Sequence, residues 1–263
     1  MLNSLSKNTD LENTDFHLYL DGWVDRITKK PIGNNLPTLE QRVKLCREAF
    51  RATSLPNKFI HDRKEHVHIA INEFEATEDL TSNYEHIVLL EDDIVLSPHY
   101  LRLLRVLIDQ FKNEDQVFSV SLNFKKLDTN VVTKLNKIKF VTNKECHWWA
   151  ECFSSNKWKI IKPQFLKYYE IVKNINYTKR PHYKIKNLIE SWGVDFGATS
   201  QDAAKDASVT YCGLKRVNTV INRGIYIGEY GTHFTPGIYR EKQLHLQEPY
   251  IFAKDKDLKR FLM

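Results

Sequence analysis

The stretch "EHIVLLEDDIVLSPHYLRLL", residues 85–104, constrains the fold more than any other part of this chain. Its apolar run at 86–90 is short and continuous, which is typical of a strand covered on both faces. Glu91, Asp92 and Asp93 follow directly, and from Pro98 onward the apolar residues recur at helical spacing. The stretch therefore predicts a strand, an acidic turn and a helix, in that order.

Other segments repeat this alternation of strands and helices. Residues 15–23, 57–63 and 116–124 read as strands, and residues 39–52 and 67–80 read as helices. Alternation at this spacing predicts βαβ units and a mostly parallel central sheet flanked by helices. The second half is less regular, with a helix expected over 200–212 and a strand over 216–222. The length of 263 residues and the hydrophobic content of 42% suit one α/β domain.

The net charge of +6 is concentrated in one segment. Between Lys157 and Lys186 the chain has nine lysines or arginines and one acid, Glu170. Such a basic segment suits a membrane surface or an anionic acceptor, and a solvated helix face is the alternative. Its aromatic residues fit no nucleic-acid-binding motif, so no nucleic-acid partner is expected.

The cysteines and the apolar stretches exclude several classes of protein. Four cysteines lie far apart without a CxxC pair, which indicates neither a zinc site nor a disulfide scaffold. The N-terminus lacks the apolar core of a signal peptide, and no stretch approaches the roughly 18 apolar residues of a membrane span. A cytoplasmic protein is expected, with peripheral contact at the inner face of a membrane as an extension of that hypothesis.

The acidic triplet has a chemical interpretation. Ligands of open α/β sheets bind at the carboxyl ends of the strands, where Glu91, Asp92 and Asp93 are predicted to lie. Adjacent carboxylates raise one another's pKa unless a cation neutralises them. Mg²⁺ or Mn²⁺ binds one or two carboxylates together with substrate phosphate oxygens, so a metal-bridged nucleotide diphosphate fits. An acidic turn that only begins the next helix is the alternative.

The segment "HIVLLEDDIVLSPHYLRLL" resembles the strand, DxD-type motif and helix of GT-A fold glycosyltransferases. It is most similar to the N-glycan branching N-acetylglucosaminyltransferase I group and its bacterial relatives, and the similarity runs from Asp15 to about Pro236. The resemblance implies one Rossmann-like GT-A domain over 1–263, with a nucleotide-binding half at about 1–125 and an acceptor-side half at about 126–263. "LNSLSKN" resembles the end of the family's first helix, so the family's first strand is expected to be absent or replaced.

The resemblance also implies roles for single residues on the donor side. Asp93 and His233 would hold Mn²⁺ or Mg²⁺, Asp92 would bind the ribose, and Glu91 would touch the sugar or a metal-bound water. Asp21 in "HLYLDGW" would contact the nucleotide base, and Arg63 in "HDRKEHVHIA" would contact the nucleotide. Trp148, Trp149 and Trp158 in "CHWWAECFSSNKW" would lie near the sugar, because indoles stack on the C–H faces of sugars. The alternatives are a plain turn at Asp21, a solvated Arg63, a core Trp148 and a structural His233.

A second segment, "SQDAAKDASVTYC", carries the expected catalytic base. Ser200 is a predicted N-cap, which places Asp202 in the first turn of a helix, where the helix dipole favours the ionised carboxylate. The resemblance implies that Asp202 is the general base, whereas a capping acid without chemistry is the alternative. In "NRGIYIGEYGTHFTP", Gly228 and Gly231 are expected to take positive φ and to bring His233 toward the metal.

Together these features predict a metal-dependent inverting glycosyltransferase. It would move a hexosyl or N-acetylhexosaminyl group from a nucleotide diphosphate-sugar, in this family usually a UDP-sugar, to a glycan or a lipid-linked acceptor. Two alternatives stay open: a catalytically silent GT-A domain that binds glycan or nucleotide-sugar, and a metal-dependent nucleotidyltransferase. No glycine-rich phosphate loop that bears a lysine is visible to favour the nucleotidyltransferase.

Overall fold

The structure, a computed structural model, describes residues 1–32, 36–123, 138–141, 148, 150–195, 197–219, 223–230, 235–242 and 244. These residues form helices and strands in an α/β arrangement, which confirms the predicted class. The helices are α1 Leu2–Leu5, α2 Leu36–Arg51, α3 His68–Asn83, α4 Tyr100–Phe111, α5 Ser155–Val172, α6 His182–Glu190, α7 Gln201–Tyr211 and α8 Pro236–Glu241. The strands are β1 Phe16–Leu20, β2 Lys58–Asp62, β3 His86–Leu89, β4 Ile94–Leu96, β5 Val117–Ser121, β6 Ile138–Val141, β7 Glu151–Ser154, β8 Lys215–Thr219 and β9 Gly224–Tyr226.

The chain divides into two compact units, each built from several segments. The first unit consists of Met1–Leu11, Val88–Phe153 and Leu214–Met263, and the second consists of Glu12–Ile87 and Ser154–Gly213. Each unit draws on both halves of the sequence. The single GT-A domain, with halves at about 1–125 and 126–263, stays a prediction.

The strands pair in both directions. The largest sheet has the order β3-β7-β5-β8-β6, in which β5 is parallel to β8 and antiparallel to β7, and β6 is antiparallel to β8. Strands β1 and β2 form a separate parallel pair, and β4 and β9 form an antiparallel pair. The expected parallel pairing therefore holds for β1–β2 and β5–β8, and the described pairings as a whole are mixed.

The core of the first unit is centred on β5 and α4. Every residue of β5 is buried, as expected for a strand with neighbours on both sides, because β7 and β8 flank it. Helix α4 has a broad apolar face and packs against β5. Its buried residues are Tyr100, Leu101, Leu103, Leu104 and Leu107. This packing anchors the polypeptide that follows the acidic turn.

The basic segment is largely helical, which its charge count did not reveal. Helix α5 begins after Ser154, whose side chain accepts a hydrogen bond from the Lys157 amide. Its interior contains Pro163, which removes one helical hydrogen bond. A buried stripe at helical spacing offsets that loss and could have predicted the helix. The stripe consists of Trp158, Ile161, Phe165, Tyr168 and Val172.

Candidate functional site

The acidic triplet lies in the turn between β3 and β4, where ligands of α/β proteins commonly bind. Asp92 is exposed, whereas Glu91 and Asp93 are half-buried. The turn conformation of Asp92 and Asp93 therefore leaves Asp92 in solvent and shields Asp93 in part. The two half-buried acids are therefore candidates for the same ligand.

Strand β9 holds Asp93 through its backbone and through its side chain. Ile94 pairs with Tyr226 in the β4–β9 ladder, and the Ile227 amide donates to the Asp93 carbonyl at 2.7 Å. The Tyr226 hydroxyl donates to the Asp93 carboxylate. Sequence reasoning did not identify Tyr226, because the contact depends on the pairing of two three-residue strands far apart in the chain.

The electrostatics of Asp93 call for a cation. Burial raises the pKa of the Asp93 carboxyl, and the charge of Asp92 raises it further, although the hydrogen bond from Tyr226 works in the opposite direction. Its Oδ1 atom is buried and accepts no hydrogen bond from any described residue. An unsatisfied buried polar group costs about 1–3 kcal/mol, and a bound cation would remove that cost.

Gly228 approaches this carboxylate too closely for a larger residue. A Cβ atom added to Gly228 would lie 2.5 Å from Oδ2 of Asp93 and 2.4 Å from the Tyr226 hydroxyl. The expectation that Gly228 takes positive φ is wrong, since the described glycines with positive φ are at other positions, and Gly231 lies outside the described residues. Gly228 is required here because the backbone passes directly over the Asp93–Tyr226 contact.

The triplet fits a metal that takes part of its coordination from the substrate. Within the described ranges, no three His, Cys, Asp or Glu side chains form a group that could hold a metal ion by themselves. Mg²⁺ and Mn²⁺ are bound in many nucleotide sites by one or two carboxylates together with phosphate oxygens and water. Asp93, with its buried Oδ1, suits such a site. The second expected ligand, His233, lies outside the described residues.

The Asp21 carboxylate is occupied by the protein itself. It accepts hydrogen bonds from the backbone amides of Gly22, Val67 and His68 at 2.9, 2.8 and 3.1 Å. Nδ1 of His66 lies 2.7 Å from its Oδ2. A carboxylate can accept about four hydrogen bonds, and these four contacts fill all of its acceptor positions. Asp21 caps the start of α3, and a contact with a nucleotide base would displace one of these donors.

Asp21 begins a chain of four titratable side chains that sequence reasoning missed. Nε2 of His66 lies 2.9 Å from Nδ1 of His68, and Nε2 of His68 lies 3.4 Å from Oδ2 of Asp25. His68 has φ of 67°, a left-handed conformation that is strained for a residue with a side chain. Burial lowers the pKa of His68, and the neighbouring His66 lowers it further. We call Asp21, His66, His68 and Asp25 the histidine array.

Arg63 follows β2 and is directed toward α3. Its Nε donates to Oδ1 of Asn72 at 2.7 Å, and its Nη1 lies 2.5 Å from Oε2 of Glu75. Strands β1 and β2 are parallel, and Leu20 pairs with Asp62, so Asp21 and Arg63 follow neighbouring strand ends. The structure thus brings Asp21 and Arg63 together at the carboxyl ends of β1 and β2, although α3 already contacts both side chains.

Asp202 lies in the first turn of α7, as predicted. The Ser200 side chain accepts a hydrogen bond from the Ala203 amide at 3.2 Å, which confirms the N-cap. Asp202 is half-buried, and the adjacent Gln201 side chain accepts a hydrogen bond from Tyr177. The positive end of the helix dipole favours an ionised carboxylate at this position. Asp202 belongs to the second unit, whereas Asp93 belongs to the first.

Trp148 is a core residue of the first unit. It is 5% exposed, and the Arg216 guanidinium carbon lies 3.9 Å from its ring centroid. The ring of Phe118 contacts it edge-on, with the centroids 6.1 Å apart. This burial favours the alternative in which Trp148 packs in the core, and its stacking on a sugar stays a prediction.

The basic segment is partly neutralised by its surroundings. Lys162, Lys173 and Lys186 form ion pairs with glutamates, and Arg180 packs on the Tyr177 ring at 4.5 Å. The exposed lysines outside these ion pairs are Lys159, Lys167, Lys179 and Lys184. No helix in the described part of the chain has the length and apolar character needed to cross a membrane.

Comparison of the sequence with known family models and with curated proteins found no match.

Proposed function

We propose that this protein is a metal-dependent inverting glycosyltransferase of the GT-A type, which uses a nucleotide diphosphate-sugar as donor. The observation that carries the proposal is the buried Oδ1 of Asp93, which has no hydrogen-bond donor among the described residues. It belongs to an acidic turn that follows a strand, where substrates of α/β enzymes bind. A divalent cation shared with the donor diphosphate supplies the missing positive charge.

On the donor side, each acid of the turn has a separate role. Asp93 binds the cation, with His233 as the second protein ligand implied by the family resemblance. The exposed Asp92 reaches the ribose, and Glu91 contacts the sugar or a metal-bound water. When bound, the cation stabilises the negative charge that develops on the leaving diphosphate. The donor base is uracil, as is usual for the family that the sequence resembles.

On the acceptor side, Asp202 serves as the general base. The bond between the anomeric carbon and the diphosphate oxygen breaks, and its electron pair leaves with the nucleotide. The acceptor oxygen forms a new bond on the opposite face of that carbon, while its proton passes to the Asp202 carboxylate. Asp202 lies in the first turn of α7, where the helix dipole favours the ionised form that can accept the proton. A single attack from the opposite face inverts the configuration.

The acceptor is a glycan or a lipid-linked hydroxyl compound. The exposed lysines of the basic segment favour an acceptor that is anionic or presented at an anionic membrane surface. Enzyme and acceptor then meet at the inner face of a membrane without a membrane-spanning helix from the described residues.

A second function, binding of a glycan or nucleotide-sugar without catalysis, is favoured by one observation. Asp21 and Arg63, the residues expected to contact the nucleotide, both have intramolecular partners. A domain that has lost its nucleotide contacts would retain the fold and lose the transfer reaction. Binding and turnover must therefore be measured separately.

The test is thermal denaturation with a panel of nucleotide-sugars, with and without Mn²⁺ or Mg²⁺, followed by transfer assays. We expect at least one donor to stabilise the protein only when metal is present, because a ligand that binds the folded state raises its stability. Asp93→Asn should lose this effect. Asp109→Asn, which changes an aspartate with 76% side-chain exposure on α4, should retain it.

Three results separate the two functions. Asp202→Asn should bind the donor as the wild type does and lose transfer. Wild-type protein that binds a donor and transfers nothing to any acceptor supports the silent domain. Wild-type protein that no donor stabilises in the presence of metal contradicts the transferase and leaves glycan binding by a silent domain as the function.

A further inference from the structure

Tyr226 is held rigidly beside the acidic turn. It is 7% exposed, and its position in the ladder with β4 fixes its backbone opposite Ile94. The Tyr239 hydroxyl donates to the Tyr226 backbone carbonyl at 2.6 Å and therefore does not reach the phenol group. A buried ring on a paired strand can orient a neighbouring group with little loss of side-chain entropy.

The contacts around Asp93 distinguish its two carboxylate oxygens. The Tyr226 hydroxyl donates to this carboxylate, and no described donor reaches Oδ1. The hydroxyl and Oδ2 both lie beside Gly228, within 2.4 and 2.5 Å of the point that its Cβ would occupy. The hydrogen bond therefore engages Oδ2 and leaves Oδ1 available for another ligand.

We infer that Tyr226 is the positioning residue of the metal site: it fixes Oδ2 of Asp93 so that Oδ1 is directed at the divalent cation. This inference rests on the proposed function. Tyr226 itself does not touch the cation, because its hydroxyl is engaged with Oδ2 of the carboxylate. Gly228 completes the arrangement by leaving room for the hydroxyl and Oδ2 to meet.

The chemistry of tyrosine suits this role. A phenol donates one hydrogen bond and remains protonated at neutral pH. Its donation stabilises the ionised carboxylate, which is the form that binds metal. Outer partners that orient metal-binding carboxylates commonly change metal affinity by about 10- to 100-fold when they are removed.

The experiment compares Tyr226→Phe with Tyr239→Phe. Each variant removes one buried hydroxyl from the same pair of packed tyrosine rings, whose centroids are 6.3 Å apart. Only the first variant removes the donor to Asp93. Mn²⁺ binding is measured by electron paramagnetic resonance, first with Mn²⁺ alone and then with UDP added. Circular dichroism melts establish that each variant is folded.

We expect Tyr226→Phe to weaken Mn²⁺ binding by about 10- to 100-fold, and Tyr239→Phe to leave it close to that of the wild type. The pH at which Mn²⁺ binding is half-maximal should also rise in Tyr226→Phe, since the hydrogen bond that favours the Asp93 carboxylate is gone. A change in packing alone would not move this midpoint. Carbon NMR of the Asp93 carboxyl in the metal-free protein should show the same upward shift.

The outcomes distinguish this inference from the proposed function. If Asp93→Asn abolishes Mn²⁺ binding and Tyr226→Phe leaves both affinity and pH midpoint unchanged, the positioning role is overturned and the metal site stands. If Tyr239→Phe weakens binding as much as Tyr226→Phe does, the effect is general packing and the inference is overturned. If the wild type binds no Mn²⁺ with or without UDP, the proposed function fails and the inference fails with it.

Discussion

Nε2 of His66 lies 2.9 Å from Nδ1 of His68, in the middle of the histidine array. The outer contacts of the array, to Asp21 and to Asp25, measure 2.7 and 3.4 Å. Two neutral imidazoles carry two N–H protons, whereas three contacts require three. The longest contact is the one to Asp25, and Nε2 of His68 has no hydrogen-bond partner among the described residues. The contact between Nε2 of His68 and Asp25 is therefore the one that has no N–H proton.

This arrangement predicts a pH dependence of stability. Burial, assisted by His66, lowers the pKa of His68 below its ordinary value of 6.5. As the pH falls below 6.5, the unfolded chain takes up a proton that the folded chain does not, so the free energy of unfolding decreases. His68→Gln removes this contribution and should give a shallower decrease between about pH 7.5 and 5. The slopes should differ by at most about 1.4 kcal/mol per pH unit, measured by urea unfolding.

The matched control is His86→Gln, which changes an exposed histidine whose nearest acid, Glu85, is 4.0 Å away. Its stability should follow the pH dependence of the wild type. If the free energy of unfolding depends on pH with the same slope in the wild type and in His68→Gln, His68 does not stay unprotonated in the histidine array.

The contact over Asp93 predicts the effect of a single methyl group. Gly228→Ala would place Cβ within 2.5 Å of two oxygen atoms, so the backbone or Tyr226 must move. We expect the free energy of unfolding to fall by about 1–3 kcal/mol, as for other overpacked sites. Metal-dependent stabilisation by a nucleotide-sugar should fall with it. Gly237→Ala is the control, because the nearest atom to its Cβ would be 3.8 Å away, and it should be at least as stable as the wild type, since alanine favours the helix α8 in which it lies.

Elements with a strong local pattern could be predicted from the sequence. The continuous apolar run of β5 and the apolar face of α4 are examples, because both elements are buried in the core. The apolar run of β3 predicted a strand correctly, but the expected coverage of both its faces is wrong: β3 lies at the end of its sheet, and only Ile87 in it is buried. Strands β4 and β9 have three residues each and no period of their own. They exist because they pair with each other, and such long-range pairing cannot be read from local sequence.

The candidate site shows the same division. The position of Asp93 followed from the end of β3, and that of Asp202 followed from the N-cap at Ser200. Tyr226 depends on the β4–β9 ladder, and the histidine array depends on the contact of Asp21 with the start of α3. The burial of Trp148 depends on Arg216, which comes from another strand. Residue type and spacing predicted which side chains are candidates for chemistry. The residues that contact them could be identified only from the folded structure.

The exposed lysines of the basic segment predict salt-dependent membrane association. Lys179 and Lys184 are exposed, and the double variant Lys179→Glu/Lys184→Glu should bind vesicles of anionic phospholipid more weakly than the wild type. Each lysine near such a surface contributes about 1 kcal/mol, or about fivefold in the binding constant. Binding of the wild type, measured by co-sedimentation, should also fall at high salt. Lys112→Glu, whose side chain is 58% exposed in the first unit, is the control, and indifference to salt would count against a membrane role.

The buried ion pair of Arg216 and Glu151 predicts a large and recoverable loss of stability. Both side chains are 0% exposed, and Nε and Nη2 of Arg216 donate to Glu151 at 2.7 Å each. Arg216→Met would leave the Glu151 carboxylate buried without its cation and should cost about 3–5 kcal/mol in urea unfolding. The double variant Arg216→Met/Glu151→Leu removes both charges and should recover more than half of that loss. As a control, Lys44→Ala breaks an exposed ion pair with Glu48 and should cost less than about 0.5 kcal/mol. If Arg216→Met/Glu151→Leu is no more stable than Arg216→Met, the two buried charges are not coupled.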